Sequence, residues 1–135
     1  MEEGAAPPLP IGKPSYEGSL YKRSEWLQQW RQRYFKLYLG PSGPRLYFCK
    51  DQESPPHGAI DLRQCLTVKS ADDKTGKKNS FEVSTSEQHF FMYANTAQEK
   101  DDVRSTCLML CILLWLLLAW QGLFVPPSFF ALFFF

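Results

Sequence analysis

Lys22, Arg31 and Arg33 are three cations whose spacing brings them to one place. Tyr16 to Arg23 puts Gly18, Leu20 and Lys22 on one alternating set, and Trp30 to Leu39 puts Arg31, Arg33, Phe35, Leu37 and Leu39 on another. Side chains two apart in a strand share a face. The three charges are therefore expected to point where Leu20, Phe35 and Leu37 point, into the space that the sheet encloses. A charge on a core-facing parity is costly unless it stands at an open mouth or meets a counter-charge. Three of them around one hairpin loop invite a polyanion, for which a phosphorylated headgroup is the obvious candidate.

Other chemistry has little to stand on. Asp72-Asp73 and Asp101-Asp102 are adjacent carboxylates with no accompanying nucleophile or well-placed histidine, and no glycine-rich phosphate loop occurs, so an enzyme is not expected. Cys49, Cys65, Cys107 and Cys111 lack CxxC spacing, and only His57 and His89 could assist them, which argues against a metal site. They read as reduced, buried thiols of a cytosol-facing protein. With 135 residues the chain has room for one domain and a tail. A net charge of +1 lacks the global basic field of a protein held to nucleic acid by electrostatics. A monomer without cofactor is expected. The charge is nonetheless uneven, with Lys22, Arg23, Arg31, Arg33 and Lys36 crowded into one hairpin and Lys74, Lys77 and Lys78 in a second cluster that reads as a solvated loop.

The elements that must position these cations are short. Residues 1–15, with Pro7, Pro8, Pro10 and Pro14, form an acidic, proline-rich leader that cannot build a core and is expected to be flexible and partly extended. Turn chemistry then punctuates strand-like runs. Gly40-Pro41-Ser42-Gly43-Pro44 separates the second run from Leu46–Lys50, and Ser54-Pro55-Pro56-His57-Gly58 precedes Ala59–Leu62. Leu66–Lys69, Ser80–Ser84 and His89–Ala94 complete seven strands, which argues for an antiparallel sandwich or small barrel. Thr96-Ala97-Gln98-Glu99 has the form of a capping box and predicts a helix from Ala97, with Val103, Cys107, Leu110 and Leu114 as a stripe suited to covering a barrel end.

Glu17-Gly18-Ser19-Leu20-Tyr21-Lys22 leading into Trp30-Arg31-Gln32-Arg33-Tyr34-Phe35-Lys36-Leu37 resembles a pleckstrin homology domain over residues 16–106. The run from Lys22 to Phe35 is especially similar to the protein kinase B version, and Cys65-Leu66-Thr67-Val68-Lys69 with Phe81-Glu82-Val83 resembles small plant proteins built around this domain. The resemblance implies a mainly β fold, a seven-stranded antiparallel barrel capped by a C-terminal helix. It also implies phosphoinositide binding. Lys22, Arg31 and Arg33 would contact the inositol phosphates, the arginine forks bidentately and the lysine as a point charge. Arg23 would be an auxiliary contact and Tyr47 a weaker one, because Cys49 stands where the family often has tyrosine. A second departure is Val103, which fills the slot where the family usually carries a tryptophan. The functional expectation is recruitment to the anionic, cytosol-facing surface of a membrane, the alternative being a protein-interaction adaptor of the same fold. Trp26, at the centre of the hairpin loop, reads equally as a headgroup-level anchor or as a ring folded over its own hairpin.

From Ser105 to Phe135 the sequence carries no charge, and Cys107 to Val125 is a run of nineteen residues interrupted only by Gln121 and Gly122. As a helix it would span about 28 Å, close to the hydrocarbon thickness of a bilayer. Residues 107–135 are accordingly read as an apolar tail. It is a candidate single-pass anchor, a helix buried by the barrel, or translated intron sequence that would expose apolar surface and aggregate. If the run entered a bilayer whole, only about three helical turns would remain to cap the barrel.

Overall fold

A computed structural model describes residues 6–122. Seven antiparallel strands form one sheet in the order β4-β3-β2-β1-β7-β6-β5. They are β1 (Tyr16–Arg23), β2 (Trp30–Gly40), β3 (Gly43–Cys49), β4 (Pro56–Asp61), β5 (Cys65–Ser70), β6 (Ser80–Thr85) and β7 (His89–Tyr93). The two edge strands β4 and β5 are joined by a single 3-10 turn, Leu62–Gln64, and a short helix α1 (Asp72–Thr75) interrupts the β5–β6 connection. Mainly β architecture with one long C-terminal helix, α2 (Ala97–Trp120), is thus what the chain adopts.

Local chemistry accounts for the turns. Gly40 pairs with Gly43 across the tight Pro41-Ser42 loop, and Gly43 takes φ +107°, a conformation a side chain disfavours. Thr96 caps α2 by accepting from the Glu99 amide at 3.1 Å, as the capping box predicts. Leu20, Phe35, Leu37, Leu46, Phe48, Ile60, Val68, Phe81, Val83 and Met92 fill the interior. β4 begins at Pro56, earlier than its turn-like composition suggests. An edge strand tolerates a proline at its first residue, and Gly58 is required because a Cβ there would run into the Phe48 ring.

Contacts extend past residue 16 on one side and residue 106 on the other. The leader is not wholly loose: the Tyr47 and Tyr38 hydroxyls donate to the carbonyls of Pro8 and Gly12, each at 3.4 Å, so residues 8–12 lie over the outer face of β2 and β3. At the other side the helix passes straight through residue 106. Val103, Cys107, Leu110 and Cys111 all belong to the core, with Leu108 and Trp115 packed against it. Four turns of α2, not three, therefore close the barrel, and the first part of the apolar run is spent on that closure. The four cysteines are free and buried. Residues 123–135 lie outside the described residues, and with them the distal part of the predicted tail.

Candidate functional site

The β1–β2 register sets Leu20 opposite Arg33 and Lys22 opposite Arg31. Directly opposed residues of an antiparallel pair project from the same face, so the parity argument holds and the three cations share one wall. They line a single cleft of about 140 Å3 together with Ser24, Phe48 and His57. Leu20 and Phe35, on the same alternating sets, are buried. No carboxylate is among the described residues that line it.

Each cation is held differently. Lys22 is only 5% exposed, and its Nζ sits 4.6 Å from the centroid of the Phe48 ring and 5.8 Å from that of Phe90. An ammonium over an aromatic face is attracted by the negative face of the ring. Arg31 is exposed, and its guanidinium donates to Gln29 Oε1 at 2.8 Å. Gln29 is in turn clamped to Ser24, its amide donating to Ser24 Oγ at 3.1 Å and its carbonyl accepting from the Ser24 amide at 2.8 Å. That clamp closes the loop and delivers Arg31 and Ser24 to the same cleft. Arg33 donates to the Gln32 carbonyl at 2.8 Å, which leaves most of its five N–H groups for another acceptor.

Two of the expected contacts are elsewhere. Tyr47 pairs with Lys36 and Ala59 on the outer face of the sheet, is 2% exposed, and lies under the leader, so it cannot reach a ligand among the three cations. Strand alternation gives its place to Phe48, the inward neighbour, whose ring has no hydroxyl to offer. Cys49 shares the outward parity of Tyr47 and is buried as well. Arg23 also points outward from β1. Its guanidinium packs on Phe91 at 4.3 Å and Trp30 at 5.7 Å, and it lines a separate cleft with Glu25, Gln28, Gln88 and His89.

Ser24 and His57 were not anticipated in the cleft. His57 belongs to the turn-like Pro-Pro-His-Gly segment, and a register shift at Phe48/Cys49 in the β3–β4 ladder accompanies its position beside the Phe48 ring, edge-on at 5.2 Å. Nothing in local sequence periodicity signals that bulge. Trp26 and Leu27, at the loop tip, are largely exposed. Lys74 is not simply solvated: it pairs at 2.9 Å with Glu82, a carboxylate only 1% exposed that also accepts from Ser84 at 2.8 Å and contacts His89 Nδ1. Burial alone would push the Glu82 carboxyl up, but hydrogen bonds from Lys74, Ser84 and His89 outweigh it and hold the group below its ordinary range.

This arrangement, an open-mouthed β structure with a cation cluster at a hairpin and a C-terminal helix across the barrel, defines a class. The sequence pattern of the PH domain matches residues 14–102, and the chain belongs to that family. The domain itself is a non-catalytic module. The chain is 35% identical over 95 residues to "Pleckstrin homology domain-containing protein 1" of Arabidopsis thaliana, covering 66% of this chain and 63% of that protein. It is 34% identical over 86 residues to diacylglycerol kinase eta of Mesocricetus auratus, covering 64% of this chain and 7% of that protein. The chain thus spans less than two thirds of the length of these relatives. Among solved structures, the C-terminal PH domain of pleckstrin in complex with D-myo-Ins(1,2,3,5,6)P5 superposes with a TM-score of 0.65 at 28% identity, covering 75% of this chain and 98% of that one.

Proposed function

We propose that the chain reads a multiply phosphorylated inositol headgroup through Lys22, Arg31 and Arg33 and thereby docks on a cytosol-facing membrane as a non-enzymatic module. The observation that carries this reading is the convergence of three cations on one cleft without a lining carboxylate. Charge of one sign gathered on one cleft is stabilised by an anion that brings several charges at once. The pleckstrin domain crystallised with an inositol pentakisphosphate supports the same reading for a fold of this kind. Arg33 and Arg31 would grip phosphate oxygens, and Lys22, already seated over Phe48, would supply a fixed point charge from the base of the cleft. Within the proposed organisation the reader occupies residues 16–106 together with the helical turns that close it, and the leader acts as a strap on its outer face.

The test is calorimetric titration of the full chain with the soluble inositol phosphate headgroup of each phosphoinositide in turn. Each arginine–phosphate contact is a charge-assisted pair of about 1.5–3 kcal/mol, so the double substitution Arg31→Glu and Arg33→Glu is expected to lower binding by at least about a hundredfold with an unchanged circular dichroism spectrum. Undiminished headgroup binding by that variant would exclude the cleft as the headgroup site. Capture of a protein partner that survives the charge reversal would favour the adaptor reading instead.

A further inference from the structure

Once α2 has closed the barrel, its apolar surface is not used up. Cys111 is the last fully buried residue of the helix, and Ile112–Trp120 continue beyond it. Leu113, Leu116, Leu117 and Trp120 are between 48% and 87% exposed, at the i, i+3, i+4, i+7 spacing of a single stripe. The faces beside that stripe are Ile112, Leu114, Leu118 and Ala119, and no charged residue occurs after Arg104. A helix that pairs with a second protein copy in water keeps a polar back; this one has none, and a helix apolar on every side is at home in hydrocarbon. Its exposed length decides how it could sit there. The stripe from Leu113 to Trp120 rises about 10 Å along the helix axis, a depth that fits within one leaflet of the roughly 30 Å hydrocarbon.

The place from which this segment leaves the barrel matters more. Tyr16, packed against the helix-side core, lies six residues before Lys22 on β1. Leu62, whose carbonyl accepts from the Cys111 thiol at 3.8 Å, lies five residues beyond His57 at the other end of β4. Two independent strands therefore separate the helix contact from the cation cleft by about 16–20 Å.

We propose that the chain bridges two bilayers, the distal turns of α2 inserting into one leaflet of the first while the Lys22–Arg31–Arg33 cleft holds a phosphoinositide headgroup of the second. This rests on the headgroup reading of the cleft and adds the occupant of the helix, which is hydrocarbon. The same body cannot press both ends of its barrel on one flat surface.

The experiment loads the full chain onto donor-labelled phosphatidylcholine vesicles, recovers them by flotation, and adds acceptor-labelled vesicles containing phosphoinositide. Flotation with the neutral vesicles, followed by light scattering and energy transfer only when the second population carries phosphoinositide, is the expected result. The Arg31→Glu and Arg33→Glu variant should float but not cluster vesicles. A variant with Leu113→Glu, Leu116→Glu and Leu117→Glu, all surface positions, should not float with neutral vesicles yet still sediment with phosphoinositide vesicles. A chain that fails to float, or that forms a dimer broken by those three substitutions, overturns the hydrocarbon assignment. Intact flotation and intact phosphoinositide binding without clustering overturn the bridge and leave the headgroup reading standing. If the three-glutamate variant sediments with no phosphoinositide, the headgroup reading itself fails, and flotation alone survives.

Discussion

The cleft is built so that its cations are supported from behind, and one glycine makes that possible. Phe48 lies under Lys22 and edge-on to His57, and Gly58 on the adjacent strand lets the ring sit there because a Cβ would collide with it. Gly58→Ala is therefore expected to push Phe48 toward the cleft, costing about 1–3 kcal/mol of stability through overpacking and weakening headgroup binding together. Chemical denaturation and soluble-headgroup titration of the same preparation check this; a variant with wild-type values for both would mean the ring is not held by that contact. At this scale the cluster of Lys22, Arg31 and Arg33 was legible from alternation alone. His57 and the burial of Tyr47 were not, because the first depends on a bulge in the β3–β4 ladder and the second on the leader lying over β3.

Among the elements, β6, β7 and α1 are tied by a polar knot in addition to the apolar packing of Phe81, Val83 and Met92. Glu82 on β6 gathers Lys74 from α1 and His89 from β7 while itself almost fully buried. Its carboxyl is held below the ordinary value near ~4.3, so its contribution is present above that pH and is lost as pH falls through the depressed folded value. Thermal midpoints measured from pH 6 downward should fall in the acid range, and Glu82→Gln should flatten that decline at a cost of about 1–3 kcal/mol at neutral pH. An acid profile identical in the two proteins would assign the decline to other carboxylates. Asp72 is a second depressed carboxyl: hydrogen bonds from Lys100 and from the Ser80 amide outweigh its desolvation, and this links the β5–β6 loop to the first turn of α2.

For the whole molecule, the small net charge conceals a strong asymmetry. A chain of net charge +1 that attracts anionic membranes must do so through a local cluster, and clusters at an open surface are screened by salt. Binding of the Leu113→Glu, Leu116→Glu and Leu117→Glu variant to phosphoinositide vesicles is expected to weaken progressively as salt rises from about 0.05 to 0.5 M, while flotation of the full chain through the apolar helix should persist or strengthen. Equal salt sensitivity of the two contacts would contradict their different physical origins. The separation of polar and apolar contacts along the barrel also explains why α2 tolerates Val103, since Cys107, Leu110 and Cys111 extend the buried seam one turn further.

What the sequence determined by itself was everything that depends on near neighbours: strand alternation, the Pro41-Ser42 hairpin, the Thr96 cap, and hence the family and the cationic wall. Those features come from backbone periodicity and turn preference, which act over a few residues. Only tertiary structure decided which side chains face those cations, that Tyr47 is roofed by the leader, and how the nineteen-residue apolar run from Cys107 is divided between core and surface. Hydrophobicity alone does not distinguish a residue that is covered from one that is merely apolar; the position of the barrel end, set by strands distant in sequence, does.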